Sequence, residues 1–462
     1  MRSRIIMTAI CTLLTAAAVA QQRWMGTYGG ASDEYGYSVE QTQDGGYIAT
    51  GRSASFGNLV QVYLIKTDAS GDTIWTRTYG GAGDEYGRSV QQTSDGGYII
   101  AGWTFSFGNA QQAYLIKTNA GGDTLWTRTY GGAGDDGGGS VQQTSDGGYV
   151  IAGWTSSFGY GDQVYLIKTD ASGDTLWTRS YGGAGDDIAL SVQQTFDAGY
   201  IVAGYATSFG DSSQVYLIKT NPSGDTLWTR SYGGAGDDGS RSVQQTSDGG
   251  YIVAGYTTPS GDSSQAYLIK TNASGDILWA RTYGGSNGGA GSSVRQTSDT
   301  GYIVAGETYS SGRGFQVCLI KTNAFGDSLW TRDYGGANGD FSYSVQQTSD
   351  AGYIVAGRTA SFGNQYQVYL IKTDANGSTG VEETPYGEVR TTNVPTIVRG
   401  VLFLPVSFPP YLPVSLLDVS GRRALSLAPG PNDVHSLAPG VYFVAENGTR
   451  STVRATKVMV TR

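Results

Sequence analysis

Apolar and polar positions alternate in short runs separated by breaks rich in Gly, Asp and Ser. One stretch shows the pattern: the polar Ser89-Val-Gln-Gln-Thr93, the apolar Tyr98-Ile-Ile-Ala-Gly102, then Ala113-Tyr-Leu-Ile-Lys-Thr118 and Leu125-Trp-Thr-Arg-Thr-Tyr130. Runs this short, rich in Val, Ile, Thr and aromatic residues, favour strands over helices. The Asp-Gly-Gly and Gly-Asp tips between them supply the positive φ angles of tight hairpins, so consecutive strands should pair antiparallel.

The pattern repeats. Tyr-Gly-Gly begins at Tyr28, Tyr79, Tyr130, Tyr181, Tyr232, Tyr283 and Tyr334, a constant spacing of 51 residues, and a Trp stands four positions earlier each time, from Trp24 to Trp330. Four short strands per repeat of roughly 50 residues match a propeller blade, whose faces pack on the neighbouring blades. The register predicts how the ring shuts. The first copy opens on its fourth strand, Trp24–Tyr28, and the last stops after its third, so pairing Trp24–Tyr28 with Tyr369–Thr373 gives seven full blades and hides both edges. The fold expected is all-β: a seven-bladed propeller over residues 21–374, a linker over 375–395 and a small immunoglobulin-like β-sandwich over 396–462.

The string Trp-Thr-Arg-Thr-Tyr-Gly-Gly-Ala-Gly-Asp-Asp, followed by Ser-Val-Gln-Gln-Thr-Ser-Asp-Gly-Gly-Tyr-Ile-Val-Ala-Gly, resembles the bacterial seven-bladed β-propeller repeat of secreted and surface proteins. The resemblance covers Trp24 to Thr373 and implies an extracellular setting, with no particular activity. The C-terminal segment carries Leu-Leu-Asp-Val-Ser-Gly-Arg-Arg, then Gly440-Val441-Tyr442-Phe443, and ends on Lys457-Val458-Met-Val-Thr-Arg462. It resembles the type A C-terminal sorting domain of type IX secretion, although Asn393-Val394-Pro395 interrupts the usual Asn-Pro opening. That resemblance implies the type IX secretion machinery as a partner, export across the outer membrane, and surface attachment or release. Residues 1–20 fit the first export step: Arg2 and Arg4, an apolar run from Ile5 to Leu14, and Ala18-Val19-Ala20 before Gln21 read as a cleaved signal peptide. The run is shorter than the ~20 apolar residues of a spanning helix, so no transmembrane anchor is expected in the mature chain.

Composition narrows the function. A net charge of −9 argues against nucleic acid as the main partner, because no basic field draws phosphates. Of two cysteines one lies in the expected signal peptide, which excludes a disulfide or a cysteine-based zinc site in the mature chain. The sole histidine, His435, falls in the C-terminal module, so the propeller has no His-dependent triad.

Candidate chemistry gathers on one face. Turns alternate between the two faces of a blade, so the near-invariant Ser-Asp-Gly-Gly and Ala-Ser-Gly-Asp turns share one face and the variable loops share the other. Two features belong to the variable face. Acidic pairs follow Tyr-Gly-Gly, among them Asp84 with Glu85, Asp135 with Asp136, Asp186 with Asp187, and Asp237 with Asp238. These suit turn caps, or a calcium ion that takes hard oxygen ligands; no other cofactor is expected. The residue after the second-strand Gly is Arg52, Trp103, Trp154, Tyr205, Tyr256, Glu307 or Arg358, so four consecutive blades place an aromatic at one level. Aromatic platforms stack on sugars or bury protein side chains, and they also serve packing between blades.

The reading is a secreted or cell-surface, non-enzymatic module that binds a glycan or protein ligand through these seven residues. Two alternatives stand beside it: a polysaccharide-active enzyme using carboxylates on the variable face, and a structural surface-layer protein.

Overall fold

The computed structural model describes residues 23–379 apart from 58, 109, 211, 260–262 and 285–287, and, toward the C-terminus, residues 396–399, 401–404, 414–417, 422–427, 430–434, 436–446 and 454–461. The chain divides into two units, Met1–Glu382 and Glu383–Arg462.

The first unit is a seven-bladed β-propeller of seven four-stranded antiparallel sheets. Blade 1 comprises Glu34–Gln41, Tyr47–Ser53, Gln61–Thr67 and Thr73–Tyr79, numbered one to four from the axis outward, and blades 2 to 7 repeat it. In blade 7 the outermost strand is Trp24–Tyr28, paired with Gln367–Thr373 from Trp24↔Lys372 to Tyr28↔Val368. The ring therefore shuts as the register predicts, with the pairing one residue earlier than expected from sequence.

The second and third strands are apolar on both faces because each blade lies between two others. Val150, Leu166, Val192, Tyr200, Val202 and Ile218, for example, form one cluster spanning blades 3 and 4. Each such side chain contributes about 1.5–3 kcal/mol on burial. Polar contacts repeat at every seam. The fourth-strand Tyr hydroxyl donates to a turn carbonyl of the next blade, Tyr79 to Gly122 at 2.6 Å and, across the closure, Tyr28 to Gly71 at 2.7 Å. Near the axis the Val90 N–H donates to Ser38 Oγ at 3.3 Å, and the Val39 N–H to Ser344 Oγ across the closure.

The seven repeated lysines are buried ion pairs on the constant face. Lys117 Nζ lies 2.8 Å from Asp95 Oδ2 and donates to the Thr118 carbonyl at 2.9 Å. The same carboxylate accepts from Thr93 Oγ1 and the Gly97 N–H, so one Asp closes the turn and neutralises the strand-end charge.

The second unit carries a five-stranded sheet ordered Thr396–Arg399, Arg454–Thr461, Gly440–Glu446, Val414–Leu417, Arg423–Leu427, and a two-stranded ribbon of Val401–Leu404 with Gly430–Asp433. Of the residues that carry the C-terminal resemblance, Gly440, Val441, Tyr442 and Phe443 share a strand that pairs with Lys457 and Val458 in the register Tyr442↔Val458, Phe443↔Lys457. Residues 1–20, most of the 375–395 segment, His435 and Arg462 lie outside the described residues.

Candidate functional site at the mouth of the axial channel

The innermost strands line an axial cavity of about 220 Å³. Its wall is a ring of serines, including Ser38, Ser89, Ser140 and Ser191, and a second ring made of Glu40, Gln91, Gln142, Gln193, Gln244, Arg295 and Gln346. Each carboxamide oxygen of the second ring accepts from a backbone N–H of the next blade, as Gln91 does from Gln143 at 2.6 Å. Glu40 keeps the bond, accepting from Gln92 at 2.6 Å, whereas Arg295 donates to the Val294 carbonyl and leaves the pattern.

Burial pushes Glu40 up to about 7, against the lowering effects of the Gln92 N–H and Arg295. A carboxyl raised in the folded state costs no stability below its unfolded pKa near 4.5, and the cost grows as pH rises to about 7. Glu40→Gln, which restores the amide of the other blades, is expected to raise stability at pH 8 by roughly 2 kcal/mol and to leave it unchanged at pH 4. Thermal melts at the two pH values check this, and an equal shift at both would exclude ionisation as the cause.

Above the serine ring every first strand has a β-bulge. In blade 1 the register shifts between Gly36 and Ser38, and in blade 7 between Ser342 and Ser344. A bulged residue is left unpaired and re-aimed. The seven bulged residues are Tyr37, Arg88, Gly139, Leu190, Arg241, Ser292 and Tyr343. Two places earlier stand Tyr35, Tyr86, Gly137, Ile188, Gly239, Ala290 and Phe341, paired directly with the residues singled out from sequence: Tyr35↔Arg52, Tyr86↔Trp103, Gly137↔Trp154 and Phe341↔Arg358. Ile188↔Tyr205, Gly239↔Tyr256 and Ala290↔Glu307 complete the circle.

All seven sequence candidates are half-buried at this mouth, and their contacts divide them. Trp103 stacks on Tyr86 with centroids 4.9 Å apart and meets Trp154 edge-on at 5.1 Å. Trp154 covers Gly137 so closely that a Cβ there would collide with the indole, and Tyr256 covers Gly239 in the same way. Glu307 is paired with Arg241 at 3.1 Å, and Ser292 donates to it at 3.2 Å. Arg52 and Arg358 lie 4.0 and 4.2 Å from the centroid of the same Tyr35 ring, so the two guanidiniums are at most 8.2 Å apart. At an effective dielectric of ~20 such like charges repel by about 2 kcal/mol. Arg88 lies 4.2 Å over Tyr37. Burial raises the Tyr37 hydroxyl pKa, while Arg88, Arg52 and Arg358 pull it down, which places three guanidiniums around one phenol. Among the described residues no carboxylate forms an ion pair with Arg52, Arg88 or Arg358, and the buried Nε atoms of Arg52 and Arg358 have no acceptor.

The acidic pairs have structural partners. The second member belongs to the strand, not to the loop as expected from sequence: Glu85, Asp136, Asp187 and Asp238 are fully buried. Asp187 Oδ2 accepts from the Gly183 N–H at 2.8 Å and from Ser208 Oγ at 2.5 Å. The first member staples the preceding blade, Asp84 accepting from the Val60 N–H, Asp135 from Gln111, Asp186 from Asp162 and Asp237 from Ser213. Turn closure therefore accounts for the bonds these carboxylates make, Asp136 Oδ1 and Asp238 Oδ1 being buried without a hydrogen-bond partner, and among the described residues no three His, Cys, Asp or Glu side chains group as a metal site would need. Burial, then Asp186, Asp135 and Asp136, raise the pKa of Asp162.

Sequence reasoning missed Tyr37, Arg88, Arg241 and Tyr343, and with them Tyr35, Tyr86, Phe341, Glu40 and Arg295. The available signal was departure from the repeat: within x-Ser-Val-Gln-Gln-Thr, x changes in almost every copy, and Glu40 and Arg295 alone break the Gln.

No protein-family model matches the chain, and no curated protein matches it. Among solved structures it is similar to the extracellular domain of a hybrid two-component system from B. thetaiotaomicron, with 9% identity and a TM-score of 0.45 over 95% of this chain and 57% of that one. It is also similar to a protein of unknown function from Dyadobacter fermentans (12%, TM-score 0.44, 77% of this chain and 98% of that one) and to Drosophila Plexin A in complex with Semaphorin (7%, TM-score 0.44, 77% and 88%). Identities this low leave function to the residues themselves.

Proposed function

We propose that this chain is an exported, non-enzymatic binding module whose variable face, at the channel mouth, receives a glycan or protein ligand. One observation carries the reading. Seven nearly identical blades differ at three positions per blade that converge on one mouth, and there they place half-buried aromatic and charged side chains in place of repeating scaffold. Residues that only hold blades together repeat; residues that meet a ligand are free to differ. The signal-peptide pattern of residues 1–20 and the sorting-domain resemblance of residues 396–462 support export through the type IX route and action at the cell surface or beyond it.

The test is binding of the purified chain to an array of polysaccharides and peptides, beside a variant with Trp103, Trp154, Tyr205 and Tyr256 replaced by Ala. We expect binding by the parent and at least about a tenfold loss in a variant that retains its cooperative melt. Hydrolysis of a bound polysaccharide that disappears in Asp135→Asn/Asp136→Asn would replace this reading with a carboxylate enzyme.

A further inference from the structure

Within that reading, we infer that the mouth is built for an acidic glycan, a chain of sugars bearing carboxylates, with the carboxylates held by Arg358, Arg52 and Arg88 and a sugar ring stacked on Trp154. The inference rests on the binding-module reading and adds the ligand's chemistry.

Three independent features point there. The first is charge. In a chain of net charge −9, four arginines, Arg52, Arg88, Arg241 and Arg358, meet at the mouth, and among the described residues only Arg241 has a carboxylate partner there, Glu307. The second is unspent hydrogen-bonding capacity. Guanidinium groups present five donors in a planar fork suited to carboxylates, and the Nε atoms of Arg52 and Arg358 are buried without an acceptor. Two like charges flanking one Tyr35 ring are a cost that an arriving anion removes. Rings hold these groups in place: Arg358 lies within 4.5 Å of the centroids of Tyr35, Phe341 and Tyr366, so the fork is ordered before a ligand arrives.

The third feature separates a sugar from an acidic peptide. Next to the cationic sector Arg88 lies 5.7 Å over Trp103, and Trp103 lies 5.1 Å from Trp154. Blade 3 supplies Gly137, Gly138 and Gly139 to this part of the mouth, and the half-buried indole of Trp154 lies on Gly137 in place of a side chain from that strand. This half-buried flat ring accepts the C–H face of a pyranose, whose carboxylate then reaches toward the arginines. An acidic peptide offers carboxylates but no pyranose face to lie on that ring.

The experiment is calorimetric titration of the full chain with oligogalacturonate, with its methyl ester as the uncharged counterpart, and with polyglutamate. We expect the acid to bind at least about tenfold more tightly than its ester. We also expect affinity to fall with added salt, and Arg52→Gln/Arg358→Gln and Trp154→Ala each to weaken it by about tenfold or more. Should the double variant melt early, Arg88→Gln and Arg52→Lys/Arg358→Lys carry the same test, the lysines keeping charge while losing the fork. Equal binding of the ester overturns the anionic ligand, and equal binding of polyglutamate overturns the sugar. If neutral glycans or peptides bind in an aromatic-dependent way and the uronate does not, this inference fails while the binding-module reading stands; if nothing on the array binds, both fail.

Discussion

Deleting residues 21–29 is expected to lower the melting temperature by about 10 °C or more and to broaden the transition, because it removes the outermost strand of blade 7. Trp24 is 8% exposed and donates its indole N–H to Ala69 of blade 1 at 3.0 Å. Removing a buried Trp alone costs about 3–5 kcal/mol. The deletion also takes away the five-residue ladder to Gln367–Thr373, the Tyr28–Gly71 hydrogen bond, and the Tyr369 hydroxyl's bond to Met25 Sδ at 3.1 Å. Blades 1 and 7 would face each other without this fastening, and the third strand of blade 7 would become an open edge that invites aggregation. A stronger form of the test moves the segment. Placed after Thr379 it follows the Gly377 turn, where other blades carry their own Trp strand, and the permuted chain should recover most of the loss. A truncated protein that melts like the parent would rule out closure by this strand.

Asp350→Asn is expected to be the most destabilising single substitution among the seven aspartates paired with the repeated lysines, at about 3 kcal/mol at neutral pH. Lys372 is 1% exposed and Asp350 16%, whereas the aspartate partners of the other six lysines are more than half exposed. Neutralising Asp350 leaves a buried ammonium with the Thr373 carbonyl at 2.8 Å. Burial already lowers the Lys372 pKa although Asp350 holds it, so this cation has little reserve. Asp95→Asn, where water reaches the pair, should cost about 1 kcal/mol. The effect has a defined pH dependence. Burial works to raise these aspartates, but their lysine, threonine and N–H partners outweigh it and hold them low, Asp95 at about 2. A depressed carboxyl stabilises the fold above its unfolded value, and that contribution disappears as pH falls through the folded value. Acid unfolding should therefore develop below about pH 4, and the gap between parent and Asp350→Asn should close as pH approaches 2. Urea titrations across this range check the sign; a gap that widens with acid would contradict it.

Much of this was legible in the sequence because the propeller is a repeat. The spacing of Tyr-Gly-Gly gave seven blades, and Trp24–Tyr28 standing alone at the start gave the closure. The variable face and its seven second-strand residues followed from turn alternation. The mouth was only half legible: Trp103 and Trp154 stood out as aromatics at one level, but their partners Tyr86 and Gly137 lie in first strands that read as polar. The first strand also proved longer than the Ser-Val-Gln-Gln-Thr run, since it begins at Glu85 and its equivalents. A charged residue at a strand start looks like loop until the Thr104 and Ser106 hydroxyls and the Gly81 N–H that satisfy it are known.

By itself the sequence determined the local order of this protein: strand order, hairpin tips, blade number and the strand that shuts the ring, all set by side-chain alternation and turn chemistry within a few residues. Only the tertiary structure decided which variable residues meet. Tyr35, Arg52, Arg88 and Arg358 come from three blades, and the bulge that turns Tyr37 and Arg88 to the mouth is a property of paired strands. Closing the ring brings residue 35 against residue 358 and leaves two guanidiniums on one tyrosine, an arrangement set by distances that no local pattern encodes.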